Sequence, residues 1–132
     1  MPPMIGSEDY ALIKPYIILP MILSAFERDK KIIEESGAIK TPGPYVAMID
    51  VAMDRVSTDL REVRRQFRER GIKVHTIERG DFLIVAKFVC RGYTGTFHLR
   101  DQYLSAEAGV LMHGYLTGKS DVLAEEMKRP PY

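Results

Sequence analysis

Apolar and polar positions keep helical spacing, in segments, as far as Arg70. They switch to a two-residue period after Gly71 and return to helical spacing after Leu99. The longest helical stretch, Pro44 to Arg70, contains no helix-breaking residue and is roughly 40 Å long at about 1.5 Å per residue. Pro42, Gly43 and Pro44 set its start, because a proline in the first turn lacks only an N–H that has no partner there. Gly71 sits just past its end, where glycine takes a left-handed cap without strain.

The two halves of this stretch differ. Tyr45, Val46, Met48, Ile49, Val51, Ala52 and Met53 spread apolar groups over most of the circumference, the pattern of a helix buried on several sides. From Val56 onward the apolar set narrows to Val56, Leu60, Val63 and Phe67, a thin stripe of the kind that seams two helices. At about 100° per residue, Arg61, Arg64, Arg65 and Arg68 fall to one side of that stripe and round the back, and Asp59, Glu62 and Glu69 to the other. Two copies paired in parallel about a two-fold axis would set basic flank against acidic flank, so the stripe is a candidate homodimer interface. The alternative is a surface helix packed on its own domain, with its arginines in solvent at the negative end of the helix dipole.

Upstream, Ser7 is placed to cap a short helix, with Glu8 and Asp9 in its first turn. Lys14-Pro15 predicts a stop or a kink, and Pro20 fits the first turn of a second helix from about Leu19 to Glu35, ended by Ser36-Gly37. Met1 to Gly6 reads as a frayed end. Downstream, Ile72–Glu78, Phe82–Arg91 and Tyr93–His98 read as strands, separated by turns at Arg79-Gly80-Asp81 and Arg91-Gly92. In the middle strand Phe82, Ile84, Ala86, Phe88 and Cys90 share one face. A three-stranded meander needs a helix on one face, and the long helix is its expected cover. Leu99 to Thr117 returns to helical spacing through Leu104, Ala108, Leu111 and Tyr115, and Gly118 closes it.

The fold class expected is therefore α+β. N-terminal helices and one long central helix pack on a small antiparallel three-stranded meander, followed by a C-terminal helix. Residues 1–118 form a single domain, and 119–132 a polar tail with one short helix before the order ends at Pro130-Pro131.

Composition narrows the function. The chain has 132 residues, enough to bury a core without staples, and a net charge of +1, so nothing global steers it to nucleic acid. The single Cys90 excludes an internal disulfide and suits a reducing compartment. Tyr16 to Ala25 is the longest apolar run, interrupted by Pro20 and too short to span a bilayer, and the N-terminus lacks a signal-peptide pattern. A cytoplasmic location and no membrane partner are expected.

Catalytic chemistry is sparse. His75, His98 and His113 are far apart, and strand alternation sets Cys90 and His98 on opposite faces, so no metal site or other cofactor is expected. Cys90 sits among apolar neighbours, where a thiol behaves as a small hydrophobe. Gly118-Lys119-Ser120 has the ending of a phosphate loop, but position 113 is His113 rather than the required glycine. Arg61, Arg64, Arg65 and Arg68 are candidate anion or nucleic-acid contacts. These features point to a non-enzymatic binding protein, a regulator or adaptor acting on another protein or on a second copy of itself. A nucleic-acid-binding regulator using the arginine face is the first alternative. An enzyme or small-ligand binder with its site at a subunit interface is the second.

Overall fold

Two long helices run antiparallel and carry most of the buried apolar surface. A computed structural model describes residues 4–129. The elements are α1 (Ser7–Glu35), α2 (Gly43–Arg70), β1 (Ile72–Arg79), β2 (Leu83–Cys90), β3 (Tyr93–Arg100), α3 (Asp101–Leu116) and α4 (Val122–Lys128). The strands form an antiparallel sheet of order β1-β2-β3, so the α+β architecture is the one read from the sequence, with the strand of strongest alternation in the middle. Residues 1–3 and 130–132, including the expected loss of order at Pro130-Pro131, lie outside the described residues.

The first helix is longer than expected. It runs unbroken through Pro15 and Pro20, where a stop and a restart were predicted. Each internal proline removes a backbone hydrogen bond and costs about 3 kcal/mol. Leu12, Ile13, Ile17, Ile18, Leu19 and Ile22 are all buried across that stretch, and at roughly 1.5–3 kcal/mol for each such side chain their burial outweighs the two defects. Ser7 is the first helical residue rather than the cap, and the Asp9 carboxylate accepts the Gly6 N–H at 2.9 Å. The N-terminal segment is not wholly loose either, since Ile5 packs against the core. The most apolar window of α1 has a mean hydropathy of 1.3, within reach of a membrane span, but 56% of it is buried inside the fold, as in a core helix.

The helix α2 ends where expected, with Gly71 in the left-handed region at φ 65°. Its end meets the start of α1 through Arg70 and Glu8 at 2.9 Å, and Lys30 reaches Asp50 at the far end, also at 2.9 Å. Along the seam Phe67 stacks on Tyr16 at 4.6 Å between ring centroids.

In the sheet, Ile84, Ala86, Phe88 and Cys90 are buried on the face expected of them. Phe82 is not. It lies in the β1–β2 turn and is 81% exposed, because pairing begins at Leu83. A register shift between Val74 and Thr76 leaves His75 unpaired as a bulge. Arg91 (φ 48°) and Gly92 (φ 87°) form the tight turn to β3, with both residues in the left-handed region that such hairpins require. Both long helices meet the sheet. Tyr10 packs edge-on to Phe88 at 5.6 Å and stacks near Phe97 at 6.4 Å, while α2 touches the sheet mainly where it runs into β1. Gly95 lies beneath the Phe88 ring, where a β-carbon would come within 2.5 Å of it.

Candidate functional site

The stripe Val56, Leu60, Val63 and Phe67 is buried inside one chain, at 0, 5, 0 and 6% exposure. As an interface between copies it is therefore corrected. A thin stripe fits any helix that crosses it, and α1 of the same chain already does so. The acidic flank is occupied too. Asp59 accepts the Tyr115 hydroxyl at 2.6 Å, and Glu62 and Glu69 both pair with Arg65, at 2.5 and 2.7 Å. The two-pronged Arg65 contact, helped by Gln66, holds the Glu62 carboxyl down at about 2.

The four candidate arginines divide accordingly. Arg65 is neutralised by its neighbours on the same helix, and its pKa is raised by the Glu62 hydrogen bond. Arg61, Arg64 and Arg68 are exposed and form no ion pair among the described residues. At helical spacing they make one basic row.

The larger departure is at the start of α2, where burial on several sides was expected. Ile49 and Ala52 are buried, but Tyr45, Met48 and Val51 are 51, 46 and 61% exposed. Pro44 and Ala47 extend the same uncovered face. Met48 and Val51 wall a recess of about 540 Å³ with Arg55, Tyr115, Leu116, Gly118 and Ser120. Arg55 holds the rim by donating to the carbonyls of Tyr115 (2.8 Å) and Lys119. Beyond Arg55 a second groove, of about 560 Å³, runs between α2 and α4. Its walls carry Asp54, Asp59, Glu62 and Asp121, and its floor Val122, Leu123 and Met127. A smaller apolar group, Ile77, Phe82 and Leu83, is exposed at the β1–β2 end of the sheet.

Two buried charge clusters were not anticipated. Asp9 is 2% exposed and sits between Arg91 (2.7 Å) and Arg70 (3.3 Å). Burial works to raise its pKa, but the Arg91 contact, the Gly6 N–H and Arg70 together outweigh it and bring the carboxyl down to about 2. Arg91 also donates to the Arg70 carbonyl at 2.8 Å, which ties the β2–β3 turn to the end of α2. At the other end of the fold Lys14 meets Glu126 at 2.6 Å, both 1% exposed. Tyr103 and Glu107 of α3 flank the lysine at 3.3 and 4.0 Å, and Arg129 pairs with Glu107 at 2.6 Å. Burial pushes the Glu126 carboxyl up against the pull of Lys14. Helical spacing carried a signal for both clusters. Asp9 falls one turn before Leu12 and Ile13, and Glu126 one turn after Val122, each on the apolar face of its helix.

Cys90 is buried, and burial together with the nearby Asp9 charge raises its thiol pKa. His98 faces solvent on the opposite side of β3, and among the described residues no three His, Cys, Asp or Glu side chains group as metal ligands.

The profile of the YhjD protein family matches residues 4–120, from the residues before α1 through α3. The chain belongs to the YhjD family. It is 32% identical over 114 residues to a Bacillus subtilis (strain 168) protein described as "Uncharacterized protein YhjD", an alignment covering 86% of this chain and 94% of that one. No solved structure matches. The YhjD match contains the apolar face of α2, the arginine row, the Asp9 cluster and Lys14. It stops two residues short of α4, which brings Glu126.

Proposed function

We infer that this chain is a non-enzymatic cytoplasmic binding protein, a regulator or adaptor that acts through protein–protein contacts and self-association. The observation that carries the reading is the uncovered apolar face of Tyr45, Met48 and Val51. Contiguous apolar surface on a small domain marks a contact site, and this face continues into the recess beside Leu116. The contact surface is thus moved from the second half of α2 to the first. A second reading, a nucleic-acid-binding regulator, rests on Arg61, Arg64 and Arg68, which have no acidic partner among the described residues.

One experiment addresses both readings. Solution mass is measured by light scattering across protein concentration and salt, with and without a generic DNA duplex. The expected result is a mass above 15.0 kDa that rises with concentration, ignores DNA, and falls to one chain in the Met48→Lys, Val51→Glu double variant. A single-chain mass at every concentration would overturn self-association. Mass gained only with DNA, and lost with salt at a log–log slope of about −3 for three phosphate contacts, would put the arginine row first.

A further inference from the structure

One side of the molecule carries cations that the fold does not use. On α2, Ser57, Arg61, Arg64 and Arg68 follow one another at helical spacing, and all four are exposed. Beside them α1 presents Ser24, Arg28 and Lys31, also exposed, with Arg28 at 75%. Arg79, at the end of β1, flanks the same part of α1 from the sheet. Lys31, Arg61, Arg64, Arg68 and Arg79 form no ion pair among the described residues. Arg28 meets Asp29 at 3.8 Å, a contact between two exposed side chains that solvent screens.

Recesses with apolar walls separate these basic rows. Between α1 and α2 a recess of about 630 Å³ has Leu23 and Met53 in its lining, with Arg28, Lys31 and Ser57. Glu27 borders it too, but its charge is drawn to Lys30 at 3.6 Å. Between α1 and β1 a second recess, of about 360 Å³, is lined by Met21 and Ala25 with Arg28 and Arg79. Ser24 and Arg28 belong to both, so the two recesses adjoin across the α1 row. A nucleic-acid backbone would meet the cations but has no apolar group to set between them. A bilayer surface is gripped by cations with exposed apolar anchors beside them, whereas Tyr45, Met48 and Val51 lie on roughly the opposite side of α2 from the arginine row. A protein segment that mixes carboxylates with large apolar side chains matches both the rows and the recesses.

We propose that this face docks an acidic segment of a partner protein, with its carboxylates on Arg28, Lys31, Arg61, Arg64 and Arg79 and its large apolar side chains in the two recesses. The proposal rests on the adaptor reading above and deepens it by naming the chemistry of the partner. Because the face lies on roughly the opposite side of α2 from Met48 and Val51, self-association and partner binding do not compete. Charge draws the segment in and sets its position, and burial of its apolar side chains holds it.

The test is fluorescence anisotropy with the full chain and three labelled probes at low salt. The first is a synthetic peptide alternating glutamate pairs with leucine–phenylalanine pairs. The second is the same peptide with serine at every apolar position, and the third is a generic DNA duplex. The first should bind about tenfold or more tighter than the second, the gain from burying one large apolar side chain, and should weaken as salt rises. Arg28→Glu should weaken it by about tenfold, and so should Arg61→Glu and Arg79→Glu, which sit on two other elements and repeat the test should one variant fail to fold. Lys87→Glu is the control for net charge, since Lys87 is exposed on the face of β2 opposite the buried Ala86 and Phe88. No binding of the first peptide, equal binding of the serine peptide, tighter binding of the duplex, or an equal loss with Lys87→Glu would overturn the proposal. Light scattering on the same parent chain separates the two readings. Mass that rises with concentration in a chain that ignores the peptide refutes this docking site alone, and a single-chain mass with the peptide bound refutes self-association alone.

Discussion

Asp9 offers the sharpest test of how the fold is held. Replacing it by asparagine keeps the shape and the acceptor for the Gly6 N–H but removes the charge between Arg91 and Arg70. The carboxyl is 3% exposed and its pKa is lowered from 3.8 to about 2. A shift of that size corresponds to about 2 kcal/mol of stability at neutral pH. Because the folded pKa lies below the unfolded one, the contribution is full above about pH 5 and is lost as the pH falls from 3.8 towards 2. Urea unfolding of the parent and Asp9→Asn chains at several pH values measures the difference directly. It should be about 2–3 kcal/mol at pH 7, the upper figure including the two arginines left facing each other, with roughly 1 kcal/mol of it gone by pH 3. Glu8→Gln is the control, since Glu8 is 78% exposed and its contact with Arg70 is screened, so that change should move stability little at any pH. A gap between parent and Asp9→Asn that is as large at pH 3 as at pH 7 would refute the assignment of the stability to an ionised Asp9.

Two other changes probe the core. Gly95→Ala sets a β-carbon 2.5 Å from the fully buried Phe88 ring, and the thermal unfolding midpoint should fall by an amount equivalent to about 1–3 kcal/mol. Phe67→Ala should destabilise by about 3–5 kcal/mol in urea while leaving any change of mass with concentration intact, because Phe67 packs on Tyr16 of its own chain; a switch to monomer in a still-folded variant would restore the stripe as an interface.

What the sequence made legible was local. The ends of α2 follow from Pro42, Pro44 and Gly71, and the meander follows from a two-residue period punctuated by Gly80 and Gly92. What it hid was decided by distant partners. The prolines of α1 look like breaks until the burial of Ile13, Ile17 and Leu19 is known. The stripe of α2 has the same spacing whether it meets a second copy or α1. Tyr45, Met48 and Val51 looked like interior residues because apolar groups surround that half of the helix; in the fold only the Ile49 and Ala52 side is covered. The candidate contact surface is therefore present in the sequence as a pattern, and its meaning comes only from knowing which side of the helix stays open.

The buried charges explain why an apolar core is not enough here. Apolar packing is non-directional and tolerates a helix slipping along its neighbour. A slip of α2 by one turn would carry Arg70 about 5.4 Å from Asp9, and the same carboxylate must also meet Arg91 in the β2–β3 turn. Asp9 thus fixes the register of α1, α2 and the sheet at a single point, through partners 61 and 82 residues away. Lys14 does the corresponding work at the opposite end for α1, α3 and α4. Desolvation offsets part of their attraction, and their larger effect is to penalise every arrangement that leaves one buried charge without its partner. That asymmetry leaves the first turns of α2 free to stay apolar and uncovered. With register set by charge at both ends of the fold, that face is not needed to define the core and is available for a contact with another molecule.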